Sequence, residues 1–572
     1  MSPTGTFTSS TETSKFASRS SAWGWSSRSV RSSDTWGPYE WRDCDGSECS
    51  DCVQSLATLV VQVGPTDLIQ GSLGNAESPL ASNRLRGSET KESLRLNTQQ
   101  PAALKRTLKP HWVFAIALGS AVGWGAFILP FDWMVSGGLG GTLAGFAIGG
   151  LMITVIALSY GAVVRALPVT GGGVAFALAA LGRTHAFVAG WCLTLGYAGI
   201  VALNASATAL VFRVTVPDLV MHVKLYTIAG WDVYLPEVLI STAILLIFAW
   251  INARGIELSG RFQFIAVVLM LVAVAFILAA TVIKFVVDQP TLAPAIPEGV
   301  SPWVAIATIV AFVPWAYVGF DNVPQLAGEF DFTPKKALQL LMWGVAAATF
   351  IYMAMMVATS LAVGDRHVAY ESSAWPTTLA ITDMIGPIGL ILMVIAVSMG
   401  VLTGLNGFYV STSRVLLTMG RAKMLPRQFA SVSSTQGSPT VGIVFTLLIC
   451  LATPWFGRAA LGWVVDMTSV GITVAYFYTC YCSFVIGRRG YVTGMADRQA
   501  PSKGQAVIGL AGCVLAVGFL SLLLVPGSPG ALGPESLTAL IVWLIAGVGF
   551  YFLRRRAYMS VPDDEIRKAV FQ

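Results

Sequence analysis

Long apolar runs separated by short polar loops occupy the chain from about residue 111 onward. Each run contains 17 to 28 residues, and a bilayer core of about 30 Å requires roughly 20 residues of α-helix. The pattern therefore predicts an all-α polytopic membrane protein with twelve transmembrane helices. The spans are expected at 111–135, 142–164, 186–212, 236–252, 262–287, 302–327, 338–363, 386–413, 440–456, 460–486, 506–525 and 537–553.

Two of these spans contain residues that interrupt a helix. The first includes GSAVGWGAFILP at 119–130, and the sixth includes AFVPWAYVGFDNVPQLAGEF at 311–330. Within a helix, each glycine costs about 1 kcal/mol and each proline about 3 kcal/mol relative to alanine. Unpaired backbone is tolerated in a membrane only where it lines a cavity or is buried in protein. Both spans are therefore predicted to be broken helices.

A broken helix offers N–H groups on one half and carbonyls on the other, and these ends carry opposite partial charges. Such a break binds a zwitterion or amine without a charged side chain. Breaks in spans one and six also indicate a 5+5 inverted repeat. We expect a transporter core over 105–490, with repeats at about 111–288 and 302–487, and helices eleven and twelve within 491–557. The alternative is that glycine and proline mark only packing or a kink.

Charge and composition support the membrane interpretation and add an orientation. Of the 572 residues, 55% are hydrophobic and 12% are charged, whereas about 25% are charged in soluble proteins. With the predicted spans, 22 of the 36 lysines and arginines fall on one side of the membrane and five on the other. The positive-inside rule assigns the richer side, and both termini, to the cytoplasm. The plasma membrane is the expected location.

The segment before the first span differs from the rest. Residues 1–104 are rich in serine and threonine and show no helical period, so we expect a largely disordered cytoplasmic tail. Whether it is a regulatory tail or an over-long gene model stays open. Its Cys44, Cys49 and Cys52 lack a fourth ligand and any nearby histidine, so no metal site is expected. Residues 558–572 are predicted as a C-terminal cytoplasmic tail.

Four stretches, in order, resemble the amino acid–polyamine–organocation superfamily of transporters. They are GSAVGWGAFILP (119–130), PVTGGGVAFALAALGRTHAFVAGW (168–191), WAYVGFDNVPQLAGEF (315–330) and LNGFYVSTSRVLLTMGRAKMLP (405–426). The resemblance covers the membrane region and leaves the tail aside. It implies alternating access, in which a bundle of helices one, two, six and seven rocks against a scaffold.

The resemblance also implies a substrate site at the two breaks. Backbone N–H groups of the first break would meet a carboxylate, and carbonyls near both breaks would meet an amino group. The implied substrate-binding residues are Ala121, Gly123, Trp124, Gly125, Tyr197, Trp315 and Val318. Trp315 matches the family's gating aromatic, and cation–π contact with an ammonium suits it. Tyr197 is either a wall of the pocket or a packing aromatic.

Three positions depart from the family pattern or stand out within it. Trp124 replaces a small residue, so its indole either narrows the pocket or turns away from it. Asp321 stands where glutamate is common, and its expected role is gating or proton coupling, with a structural hydrogen bond to the broken helix as the alternative. Met270 lies where some members place a lysine.

Charged residues near the cytoplasmic ends suggest further interpretations. Arg414 begins a basic cluster expected to set orientation and to contact lipid headgroups. Glu329 and Asp331, with Lys335 and Lys336, form a candidate cytoplasmic gate.

The function predicted from these features is secondary transport of a small amino acid or related amine. The alternative is a transporter-shaped sensor that signals through its N-terminal tail. An enzyme is not expected, since the four histidines are scattered near helix ends and no triad or metal cluster is visible. We expect no cofactor, although H⁺ or Na⁺ are candidate coupling ions. The expected partners are the substrate and the lipid bilayer, with no nucleic acid and no disulfide-linked subunit.

Overall fold

The protein is described by a computed structural model over residues 104–571, apart from 229, 293, 458, 493–499 and 529. All of the predicted N-terminal tail except residue 104 lies outside the described residues, and so do Cys44, Cys49 and Cys52.

The described chain is built from helices, with one two-stranded hairpin. The helices are α1 (Pro110–Ala121), α2 (Gly125–Ile128), α3 (Pro130–Ala166), α4 (Gly172–Ala180), α5 (Arg183–Thr215), α6 (Pro217–Val220), α7 (Leu235–Ala253), α8 (Ile256–Asp288), α9 (Pro302–Ala316), α10 (Asn322–Gln325), α11 (Pro334–Val363), α12 (His367–Tyr370), α13 (Pro376–Ile385), α14 (Pro387–Arg421), α15 (Thr440–Cys450), α16 (Ala459–Arg489), α17 (Lys503–Leu524), α18 (Pro534–Met559) and α19 (Asp563–Phe571). The strands are β1 (Lys224–Ile228) and β2 (Trp231–Tyr234), and 3-10 helices cover Ala327–Glu329, Arg427–Ala430 and Thr453–Phe456.

Nine helices in the described part of the chain are long and apolar enough to cross a membrane. They are α3, α5, α7, α8, α11, α14, α16, α17 and α18. Two shorter apolar segments, Pro302–Ala316 and Thr440–Phe456, accompany them. The prediction of an all-α polytopic membrane protein is confirmed at this level.

The boundary between the first two predicted spans is made by a glycine. α3 begins at Pro130, and its regular dihedral angles are interrupted at Gly138, where φ is 66°. A positive φ of this size is inexpensive only for glycine. This interruption lies within the loop predicted between residues 135 and 142, so a short helical piece precedes the long span.

Close packing fixes α9, the first half of the sixth predicted span. Gly145 and Gly149 lie one turn apart on α3 and face α9. A Cβ on either glycine would overlap Ile309 or Val313, respectively. Small residues at four-residue spacing let two membrane helices approach closely, so α3 holds α9 in place.

One arginine bonds the hairpin to the neighbouring helices. β1 and β2 pair antiparallel, and Arg213, near the end of α5, donates from Nη2 to the carbonyl oxygen of Asp232 at 2.7 Å. Its guanidinium also lies 4.1 Å from the ring centroid of Trp231 and forms a 2.8 Å ion pair with Glu237 on α7. Arg213 thus joins α5, the hairpin and α7.

Candidate substrate site

The first predicted break is present between α1 and α2. The N–H of Val122 donates to Leu118 O at 2.9 Å, which is the last helical bond of α1. The backbone then leaves the helical region at Val122, with φ −102° and ψ 84°. Helical bonding resumes when Ala126 N donates to Gly123 O at 3.3 Å and Phe127 N donates to Trp124 O at 3.0 Å. The break therefore presents the carbonyl end of α1 and the N–H end of α2.

The second break, between α9 and α10, touches the first. Gly319 has φ +128°, a conformation that L side chains rarely adopt. A Cβ built on Gly319 would lie 2.5 Å from the backbone nitrogen of Ala121 and would overlap the backbone of Ser120. The two breaks are therefore in direct main-chain contact, and only glycine permits that approach.

Tyr352, on α11, connects the carbonyl ends of the two half-helices. Its hydroxyl lies 3.0 Å from Ala121 O and 2.7 Å from Ala316 O. The ring is buried and stacks on Phe146, with centroids 4.9 Å apart. Carbonyls at helix ends need a partner when water is excluded, and one hydroxyl supplies it to both helices.

The buried carboxylate of Asp321 accepts hydrogen bonds at the second break. Its Oδ1 accepts from the N–H of Gly319 at 2.8 Å, and its Oδ2 accepts from the hydroxyl of Tyr197 at 2.6 Å. Gln325 Nε2 donates to the same Tyr197 oxygen at 3.1 Å. All three side chains are buried. The predicted alternative, a structural hydrogen bond to the broken helix, is therefore present, and Tyr197 is bonded to the candidate coupling acid.

Two indoles cover the first break. The rings of Trp124 and Trp315 lie 5.6 Å apart and are inclined at 64°. The Trp315 ring occupies the place that a Cβ on Gly125 would take, whereas a Cβ on Gly123 would meet no atom within 4 Å. Trp124 therefore turns onto Trp315, and the open space at this break adjoins Gly123.

Six of the predicted substrate-binding residues lie within the two breaks or at the ends of the helices that border them. They are Ala121, Gly123, Trp124, Gly125, Trp315 and Val318. The seventh, Tyr197, reaches the second break through Asp321.

Comparison with known proteins identifies the family. A family model described as amino acid permease matches residues 110–550. The chain belongs to the amino acid permease family. This permease is similar to the methylthioribose transporter of Bacillus subtilis, at 24% identity over 465 residues that cover 80% of this chain and 95% of the relative.

Two further relatives cover much of the permease. L-asparagine permease 1 of Mycobacterium bovis is 24% identical over 485 residues, which cover 82% of this chain and 94% of the relative. The branched-chain amino acid permease BcaP of Bacillus subtilis is 24% identical over 489 residues, which cover 81% and 96%. The family and these names indicate a transporter rather than an enzyme.

A buried ion pair links the permease's second broken helix to α14. Arg414 Nε and Nη2 each donate to an oxygen of Glu329 at 2.9 Å, and Nη1 donates to Ser413 Oγ at 3.0 Å. Arg414 is 1% exposed and Glu329 0%. Arg414 is therefore buried and does not lie at lipid headgroups. Glu329 was expected to form a gate with Asp331, Lys335 and Lys336, but it pairs with Arg414 instead.

Two backbone bridges accompany this ion pair. Leu108, before α1, pairs with Phe330, and Thr170, before α4, pairs with Leu326. Gly171 N also donates to Gln325 O at 2.9 Å. The segment that follows α10 is thus held by both the start of the first span and the loop after α3.

The residues missed from sequence are Tyr352 and the Glu329–Arg414 pairing. A tyrosine within an apolar span was the available signal for the first, because a buried hydroxyl requires a partner. Among the described residues, no group of three or more His, Cys, Asp or Glu side chains could hold a metal ion.

Proposed function

We propose that this permease is a secondary active transporter that moves a small amino acid or related amine by alternating access. The observation that carries the proposal is the main-chain contact between two broken helices at Gly319 and Ser120. This contact brings together the carbonyl ends of α1 and α9, which carry partial negative charge, while the N–H end of α2, which carries partial positive charge, begins four residues after α1 ends. The names of the relatives, which include asparagine and branched-chain amino acid permeases, support an amino acid as cargo.

In this proposal the carboxylate of the substrate meets backbone N–H groups at Gly123, Trp124 and Gly125. The amino group approaches carbonyls near Ala121, Trp315 and Val318, while Trp315 acts as the gate. Support comes from the space beside Gly123 and from the burial of Trp315, which is 9% exposed. Asp321 remains the candidate for gating or proton coupling, with H⁺ or Na⁺ as the coupling ion.

The proposal includes twelve spans arranged as a 5+5 inverted repeat followed by two helices. Nine long apolar helices, the shorter segments Pro302–Ala316 and Thr440–Phe456, and the broken helix that begins at Pro110 support this count within the described residues. Both termini are proposed to be cytoplasmic and the protein to lie in the plasma membrane, with the charge bias as support.

A ligand-induced thermal shift tests the proposal. Purified protein is screened against amino acids, polyamines and methylthioribose, since a ligand at 100 times its Kd stabilises by about 2.7 kcal/mol. Gly123→Val fills the space at the break and should abolish the shift, and Trp315→Ala should weaken it. Gly518→Val is the control, because a Cβ on Gly518 also meets no atom within 4 Å but lies on α17, away from the breaks.

Measurements of substrate flux then distinguish a transporter from a sensor. Reconstituted vesicles should accumulate the compound that gives the shift, and Gly123→Val vesicles should not. Binding without flux would favour the sensor. A shift that survives Gly123→Val would place the substrate elsewhere and contradict the proposed site.

A further inference from the structure

The C-terminal helix α19 is docked on the molecule through Arg183, the first residue of α5. Arg183 Nε donates to Asp563 Oδ1 at 2.7 Å, Nη1 donates to Tyr558 O at 2.9 Å, and Nη2 donates to Val561 O. The hydroxyl of Tyr558 donates back to Arg183 O at 3.0 Å. The side chain of Arg183 is only 13% exposed. It therefore binds the residues that lead into α19 from a largely buried position.

A second attachment lies beyond α14. Lys423 Nζ forms a 3.2 Å ion pair with Glu565 Oε1. Ile566 and Val570, one turn apart, are 1% and 5% exposed and join the main hydrophobic core. The helix is therefore amphipathic, with an apolar side that is buried and an acidic first turn that meets two basic residues.

The apolar side of α19 and the end of α4 face the same cavity. Leu178 of α4, Leu181 just after it and Ile566 of α19 line one cavity. The residues just before α4, Thr170 and Gly171, hold the second broken helix through the bridge to Leu326 and the bond to Gln325 O. Gly182, next to Arg183, donates from its N–H to Ala177 O of α4 at 3.0 Å. A series of bonds thus runs from α19 through Arg183 and α4 to α10.

We propose that α19 is an autoinhibitory clasp that presses α4 against the end of the second broken helix and so holds the predicted cytoplasmic side closed. This inference rests on the proposed alternating access, because closing matters only if that side opens. When α19 detaches, α4 and α10 are free to separate from α14, and the site opens toward that side.

The two ion pairs are the weak part of the clasp, in contrast to the buried Ile566 and Val570 side chains. The carboxylate sides of its two ion pairs are 72% and 57% exposed, and exposed pairs contribute little and are screened by salt. Its state is therefore sensitive to ionic strength and to anionic groups that compete for Arg183 and Lys423.

Hydrogen–deuterium exchange on the full-length protein in nanodiscs tests the clasp without any substrate. Asp563→Lys places a cation beside Arg183 and should release α19. Asp564→Lys is the matched control: it makes the same charge change at the same helix start, and Asp564 forms no ion pair within the described part of the chain. At low salt, backbone exchange over 170–181 and 322–330 should rise about fivefold in Asp563→Lys and change little in Asp564→Lys.

Salt and flux complete the test. At about 1 M salt, where the screening length falls to about 3 Å, exchange in the wild type should rise part of the way toward that of the low-salt Asp563→Lys protein, because salt weakens the ion pairs and leaves the buried apolar contacts in place. Once a substrate is known, its initial uptake should rise roughly twofold or more in Asp563→Lys with KM unchanged. Equal exchange in wild type and Asp563→Lys would overturn the clasp. Faster exchange in a protein that transports nothing would show that α19 holds α4 and α10, but would reject the proposed transport and with it the autoinhibitory role.

Discussion

The hydroxyl of Tyr352 has one proton and two carbonyl neighbours, Ala121 O and Ala316 O. These carbonyls end helices from different predicted repeats, so a movement of either helix changes the hydrogen bonding of both. Because water is excluded from this buried position, no other donor replaces the hydroxyl at low cost. Tyr352 therefore positions the carbonyl side of the proposed substrate site.

Replacing Tyr352 by phenylalanine should lower stability by about 1–3 kcal/mol, because buried carbonyls lose their donor. Thermal unfolding in detergent measures the effect. Tyr476→Phe is the control, since the Tyr476 hydroxyl is buried and makes no hydrogen bond to any described residue. Equal melting temperatures for Tyr352→Phe and Tyr476→Phe would contradict the bridging role.

Asp321 and Tyr197 share one hydrogen bond, so their substitutions should not add. Asp321→Asn and Tyr197→Phe are each expected to cost about 1–3 kcal/mol. The double variant should cost less than the sum of the two, by roughly 0.5 kcal/mol or more. A double-mutant cycle by thermal or denaturant unfolding provides the measurement, and strict additivity would show that the two side chains are not coupled.

At the scale of elements, the Glu329–Arg414 pair joins the end of the second broken helix to α14. Burying two charges is costly, and removing one partner leaves the other unpaired in a medium of low dielectric constant. The pair is therefore a strong constraint on where this half-helix lies.

Glu329→Gln should lower the free energy of unfolding by about 3–5 kcal/mol, because it strands the Arg414 charge. Lys284→Ala breaks a comparable but exposed pair with Asp288, half-exposed on both sides, and should cost less than about 1 kcal/mol. Denaturant titration of the two variants compares them. Similar losses would mean that Arg414 finds another partner when Glu329 is neutralised.

The elements themselves were largely predictable, whereas their partners were not. Apolar run length located the nine long apolar helices of the described residues, and glycine with proline located both breaks, since these residues act on local backbone. The ion pair between Glu329 and Arg414 joins positions 85 residues apart, and the Tyr352 bonds reach across 231 and 36 residues. Local patterns do not encode such pairings, so the partners of these side chains could only be found from the fold.

At the scale of the whole molecule, the predicted orientation places the β1–β2 hairpin on the extracellular side. A short epitope inserted after Ile228 should therefore bind antibody on intact cells, and a C-terminal epitope should bind only after permeabilisation. Immunofluorescence on the two tagged proteins distinguishes the two orientations. The reverse pattern would invert the orientation inferred from the distribution of lysine and arginine.

The contact between the two breaks affects which substitutions related proteins can accept as they diverge. At Gly319 and Ser120 the contact is made by backbone atoms. Most substitutions nearby therefore change the side chains around the breaks, while the backbone contact between the breaks keeps its geometry. Under the proposed function, a lineage would exchange one cargo for another by changing residues such as Trp124, provided that position 319 stays glycine. Selection for new cargo and preservation of the contact between the breaks would then act on different atoms.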